Sequence, residues 1–176
     1  MRNNQPVTQR ERTFPAQQRL ISTTDLKGQI TYCNDAFVDI SGFSREELLR
    51  APHNIVRHPD MPPAAFAHLW QTLKAGRSWM GLVKNRCKNG DHYWVSAFAT
   101  PVSRDGKVVE YQSVRTRAQP EQIRAAEALY AALRDGRGAR TLRCTMGLRE
   151  RMALLAAGAG AFGVALGSLL GSAPGI

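Results

Sequence analysis

His53-Asn54-Ile55-Val56-Arg57-His58-Pro59-Asp60-Met61-Pro62 places an Asn, an Arg, two His and an Asp within ten residues, directly ahead of an amphipathic helix. A loop that only joins two core elements has no use for so many donors and charges. A buried ligand with a polar edge does. The residues around this stretch indicate what kind of domain would hold such a ligand.

Upstream, Leu20-Ile21-Ser22-Thr23-Thr24 reads as a strand, Asp25-Leu26-Lys27-Gly28 as its turn, and Ile30 to Asn34 as the returning strand. Asp35 opens a short helix carrying Phe37, Val38 and Ile40 that stops at Gly42. Ser44-Arg45-Glu46-Glu47 is a capping box that starts one more turn, ended by Pro52. Residues 53 to 62 then form an irregular connection. Pro62 and Pro63 suit the first turn of a helix. Phe66, Leu69, Trp70 and Leu73 recur at i, i+3, i+4 and i+7 as one apolar stripe, closed by Gly76.

Downstream, Trp79 to Cys87 and His92 to Val102 flank the turn Lys88-Asn89-Gly90-Asp91, and Asp105-Gly106 leads into a fifth strand from Val108 to Arg117. Two strands, a cluster of short helices and a three-strand meander make an α+β domain. It is a five-stranded antiparallel sheet with short helices on one face, and a pocket is expected between the two layers.

The chain has 176 residues and a formal charge of +10. That is room for one domain, taken as residues 20–118, and an appendage. Residues 1–19 are polar and basic with no apolar h-region. They read as a flexible tail, and the sequence does not decide whether it docks. Residues 119–151 read as a helical, Arg-rich linker. Between Arg134 and Arg151 six Arg stand against Asp135 and Glu150. From Met152 to Ile176 no residue is charged, and 152–172 forms a candidate transmembrane helix, long enough for a hydrocarbon core of about 30 Å but rich in Ala and Gly. Gly163, Gly167 and Gly171 share one helix face with Ala159, either as a close-packing surface or because Gly is common in membrane helices. The Arg excess would place residues 1–151 in the cytoplasm, at the inner membrane. No nucleic-acid recognition motif is present. Cys33, Cys87 and Cys144 form no CxxC pair and fit a reducing compartment. No catalytic set or phosphate loop marks an enzyme.

A flavin ring is a flat slab with a polar edge, so it needs aromatic or aliphatic walls and amides at the rim. Trp79 opens a strand at the expected pocket mouth and is favoured as a wall; Trp70 sits in the helical stripe and is favoured as core. Asn34 and Asn85 can each donate and accept. Asn34 also fits a helix cap, whereas Asn85 in mid-strand is harder to explain as scaffold.

The match goes beyond the order of elements. Ser22-Thr23-Thr24-Asp25-Leu26, Pro52-His53-Asn54, Val56 to Pro62, Val83-Lys84-Asn85-Arg86, Lys88 to Val95 and Val114-Arg115-Thr116-Arg117 resemble the PAS family, and within it the sensor domains of bacterial aerotaxis receptors. The resemblance runs from about Val7 to Leu133. It implies non-covalent FAD, a membrane anchor after the domain, and signalling to the flagellar motor through a chemotaxis kinase. The partners it suggests are a second copy in a homodimer, the cytoplasmic membrane, and the full-length receptor or a chemotaxis partner.

With FAD, the pyrophosphate needs cations or backbone N–H groups. Arg57, His58 and Arg86 are the candidates, with Asp60 orienting Arg57 or His58 or bonding a ribityl or ribose hydroxyl. Light-sensing flavin domains of this fold carry a reactive Cys in an Asn-Cys-Arg-Phe motif. Here Ile55 follows Asn54, so a photoadduct is not expected. The alternatives are haem ligated by His68, and a ligand-free interaction or dimerisation module. No His spacing suggests a metal site. Aerotaxis receptors continue into a HAMP unit and a long signalling domain. The sequence therefore reads as a piece of a longer receptor or as a short relative acting through a partner.

Overall fold

The computed structural model describes residues 4–135. The Arg-rich stretch from 136 to 151 and the candidate membrane segment 152–172 lie outside the described residues. Among the described residues no helix is long and apolar enough to cross a membrane.

The sheet order is β2-β1-β5-β4-β3, with β1 Leu20–Thr24, β2 Ile30–Cys33, β3 Trp79–Arg86, β4 His92–Arg104 and β5 Lys107–Arg117. All neighbours are antiparallel. The last strand returns to pair with the first, Leu20 against Arg115 and Thr24 against Tyr111, so the two ends of the domain meet in mid-sheet. Between β2 and β3 lie α1 Asp35–Ser41, α2 Arg45–Leu48, a 3-10 turn His53–Val56 and α3 Pro63–Lys74. The 3-10 turn occupies the start of the stretch read as wholly irregular.

Local chemistry accounts for the helix ends. The Asn34 side chain accepts from the Phe37 amide and caps α1, and Gly42, at φ 71°, ends it in the left-handed region that glycine enters without strain. The reciprocal Ser44–Glu47 bonds of the capping box are both made. The core joins the inner face of the sheet to these helices. Leu20, Ile30, Phe37, Leu48, Val56, Met61, Tyr93 and Val95 are essentially inaccessible to water.

Two features depart from the sequence expectations. α4, Pro120–Arg134, packs on the opposite face of the sheet from the other helices. Tyr130 stacks near Trp94 and its hydroxyl donates to Leu82 O at 2.5 Å. Residues 4–19, read as a tail, lie against the domain. Phe14 and Asn4 are buried, and the amide of Arg12 and carbonyl of Arg10 bond His92 at 2.7 and 2.9 Å beside the start of β4. β5 pairs only as far as Val95 on β4, so the backbone groups of His92 are left for this strap to bond.

Phe37 packs fully buried among these layers. Phe37→Ala is expected to lower stability by about 3–5 kcal/mol in urea denaturation. A loss under about 1 kcal/mol would show that the helices do not enclose it.

Candidate ligand-binding site

Side chains alternate across a strand, so the pairings Trp79–Ala99, Gly81–Ala97 and Val83–Val95 put these residues on one face of the sheet. On β5 the same face carries Tyr111, Ser113 and Arg115. Ala97, Ala99 and Ser113 are small, and the helices above them cannot close onto so low a floor. A cavity of about 260 Å³ results. Its floor is Ala99, Ser113 and Arg115, its walls Phe66, Leu69, Trp70 and Tyr111, and its rim Lys27, Gly28, Pro52, His53 and Asn54. A narrower extension of about 50 Å³ runs on to Arg57, Trp79, Val83, Asn85 and Ala97. The size lies near the lower end for small-molecule sites and suits a ring rather than a whole dinucleotide. Gly28, at φ 83°, lets the rim turn pass under Trp70; a Cβ there would sit 3.0 Å from the indole.

Arg115 dominates the chemistry. The residue is 4% exposed, and its guanidinium lies over the Phe37 ring at 5.1 Å. Nη2 donates to Ser22 Oγ at 2.9 Å and to His53 Nε2 at 2.6 Å. No carboxylate pairs with it among the described residues, and Nη1 is buried without an acceptor. Burial pulls its pKa down to about 10, so it stays charged at neutral pH. The same burial, with Arg115 adjacent, pushes His53 down to about 3; its imidazole is neutral and accepts. Asn85 is 3% exposed, and its Nδ2 likewise has no acceptor. Two buried N–H donors in one cavity wall are suited to a ligand that offers acceptors.

The residues proposed from sequence divide into two groups. Arg57, Trp79 and Asn85 line the cavity together. Arg57 lies over Phe66 at 5.2 Å, and its Nη2 donates to Met61 O. Trp79 is a wall, as expected, and its indole N–H reaches His68 Nδ1 at 3.2 Å. Trp70, assigned to the core, walls the larger part and meets Tyr111 edge-on.

Asn34, His58, Asp60 and Arg86 lie outside this lining. Asn34 spends its carboxamide on the Phe37 and Ile21 amides and the Arg19 carbonyl. Arg86 donates to the carbonyls of Pro6, Gln5 and Lys88, which binds the strap. His58 is fully buried against His92, and burial lowers its pKa to about 4. The Asp60 carboxylate takes Lys84 Nζ at 2.8 Å beside a second recess of about 330 Å³, lined also by Met61, Trp94, Tyr130 and Arg134. That recess has the larger volume, but its buried cation, Lys84, already has a carboxylate, so it presents no comparable unmet donor.

Sequence patterning alone does not single out Arg115 and His53 as site residues. Neither face of β5 is consistently apolar, so its alternation does not reveal that Arg115 points inward.

His53, His58 and His92 are held near 3, 4 and 4 against an ordinary 6.5, in each case chiefly by burial. An unfolded chain takes up these protons near pH 6.5 and the folded chain does not, so stability should fall as pH drops from 6.5 toward 4. Melting temperatures across that range check this, and His53→Gln should flatten part of the slope. A profile that stays level would contradict the burial of these rings.

Residues 30–115 match the PAS fold family model. The chain is 56% identical over 131 residues to the aerotaxis receptor of Escherichia coli (strain K12), covering 74% of this chain and 26% of the receptor. It is 34% identical over 82 residues to the nitrogen fixation regulatory protein of Klebsiella pneumoniae, covering 47% of this chain and 17% of that protein. The chain thus spans 26% and 17% of the length of these two relatives. Among solved structures it superposes on a light-oxygen-voltage domain studied with a flavin analogue, with a TM-score of 0.57 at 21% identity, covering 61% of this chain and 83% of that one. The light state of the Aureochrome1 LOV photoreceptor gives 0.56 at 18%, covering 66% and 91%. At these identities the superpositions speak for the fold alone. The five-stranded sheet, the family match and the identity to the receptor together make this a PAS domain of the aerotaxis-receptor type.

Proposed function

We propose that the domain is a redox sensor holding FAD non-covalently, the ring between sheet and helices, and that it signals toward the chemotaxis pathway. The observation that carries this reading is the cavity over Ala97, Ala99 and Ser113 in which buried Arg115 and Asn85 each present an N–H without a protein acceptor. Flat apolar walls from Phe66, Leu69 and Trp70 suit ring faces, and the two donors suit carbonyl oxygens and ring nitrogens at the rim. The remainder of FAD would leave past Lys27, Gly28 and Asn54. A bound flavin would supply reversible electron uptake.

The chain's own part is to register a change at the ring edge. Asn85 can donate from Nδ2 or accept at Oδ1, so an edge that turns from acceptor to donor forces its carboxamide to rotate or lose a bond. A lost buried hydrogen bond costs about 1–3 kcal/mol, one to two decades in a two-state population. Asn85 lies on β3, bridged to Arg57, and the other face of β3 carries α4 through the Tyr130–Leu82 bond. A shift of β3 would therefore reach α4 and the segment after it. The uncharged segment 152–172, next to the Arg-rich stretch, is proposed as the anchor at the cytoplasmic membrane, with a homodimer and a chemotaxis partner as the assembly.

His68 weighs against haem. It is exposed, stands outside the cavity lining, and its Nδ1 accepts from Trp79. A ligand-free module remains the rival. Titrating the purified chain with FAD, followed by visible absorbance and quenching of flavin fluorescence, separates the readings. Saturable uptake is expected, with Arg115→Ala and Asn85→Ala each weakening it about tenfold or more. A colourless chain that takes up no FAD yet dimerises would support the ligand-free module.

A further inference from the structure

The strap formed by residues 4–14 crosses the turn that carries Arg57. The Asn4 side chain is buried, and its Nδ2 lies 2.8, 3.2 and 2.8 Å from the carbonyls of Asn54, Ile55 and Arg57. Asn54 O already accepts within the 3-10 turn, whereas Ile55 O and Arg57 O stand at its end, with no further helical turn to donate to them. The Arg57 amide bonds Asn54 O at 3.1 Å, so Arg57 is held on one side by its own turn and on the other by Asn4. Its guanidinium then leaves from a fixed base along Phe66, and Arg57 lines the deeper part of the cavity with its bridge partner Asn85.

The rest of the strap is built to keep Asn4 there. Arg86 Nε and Nη2 donate to Pro6 O at 2.9 Å and Gln5 O at 3.0 Å. The Thr8 amide donates to Gly90 O at 3.0 Å, and Thr8 Oγ1 and Arg10 both reach the Asp91 carboxylate. Gly90 admits the strap because a Cβ there would stand 2.8 Å from Pro6 O. None of these bonds belongs to the hydrophobic core.

We infer that the N-terminal strap is a working part of the ligand site: Asn4 positions Arg57 at the cavity, and bound ligand and docked strap stabilise each other. The inference rests on the flavin reading of the cavity. By linkage, whatever factor the docked strap adds to ligand affinity, the ligand returns to strap docking.

FAD is the probe and the whole chain the sample. Asn4→Ala is expected to weaken FAD binding about tenfold, within the usual range of site-to-site coupling. Thr13→Ala, at an exposed strap position, should leave binding unchanged. A second measurement needs no variant: trypsin cuts after exposed Arg10 only when the strap lifts. Saturating FAD should slow that cut several-fold in the wild-type chain while leaving cleavage after Lys107, at the start of β5, unaltered. Wild-type chain that binds no FAD overturns the flavin reading and this inference together. Wild-type chain that binds FAD, with Asn4→Ala binding equally well or with strap cleavage indifferent to FAD, overturns the inference alone. If the Asn4 variant does not fold, the trypsin comparison on wild type decides.

Discussion

A guanidinium buried on the inner face of the sheet, with no carboxylate beside it, is the constraint around which the rest of this domain is arranged. Removing a charge from water is costly unless hydrogen bonds and polarisable surfaces replace the solvent. Around Arg115 that replacement comes from Ser22, a neutral His53 and the face of Phe37, one group each from β1, the 3-10 turn and α1. The charge therefore ties together three elements that are distant in sequence, yet one donor nitrogen, Nη1, is left over. A buried polar group without a partner is rare in folded proteins and favours a site that something else completes.

The small residues complete that logic. A floor of Ala97, Ala99 and Ser113 gives up the dispersion contacts that Leu or Phe would make there, and the cavity it leaves lies directly over Arg115. The same strands carry bulkier groups on their other face, where Trp94 meets Tyr130. The sheet is thus packed on one side and left partly open on the other, and β3 belongs to both. That sharing gives α4 and the strap, both outside the cavity, a physical connection to what happens within it.

The loop from Arg57 to Met61 divides its charges in the same way. Arg57 has extended backbone angles, so neighbouring side chains point in opposite directions. Arg57 lines the cavity, while His58 and Asp60 turn toward His92, Lys84 and the strap. A cluster that looks like one ligand-binding set in sequence is half cavity lining and half fastening. The fastening is still close to function, because it carries Arg134 of α4 on the Asp60 carbonyl.

Sequence by itself determined the elements. The Ser44–Glu47 capping box, the Asn89-Gly90 turn, the 3.6-residue stripe from Phe66 to Leu73 and the alternation in the paired strands act through neighbours a few residues apart, and each appears where those local rules place it. It also marked Asn85 as a residue out of keeping with a plain strand. Tertiary structure decided which charges face the cavity and which face away, that Asn34 lies outside the cavity lining, that residues 4–14 are a strap, and that α4 takes the outer face. Several of those outcomes depend on partners some fifty to ninety positions distant, such as Asn4 with Arg57 and Arg115 with Ser22. Local periodicity carries no record of contacts at that separation. Arg115 shows this most directly, since a strand with mixed residues on both faces has no inside until the sheet and helices close over one of them.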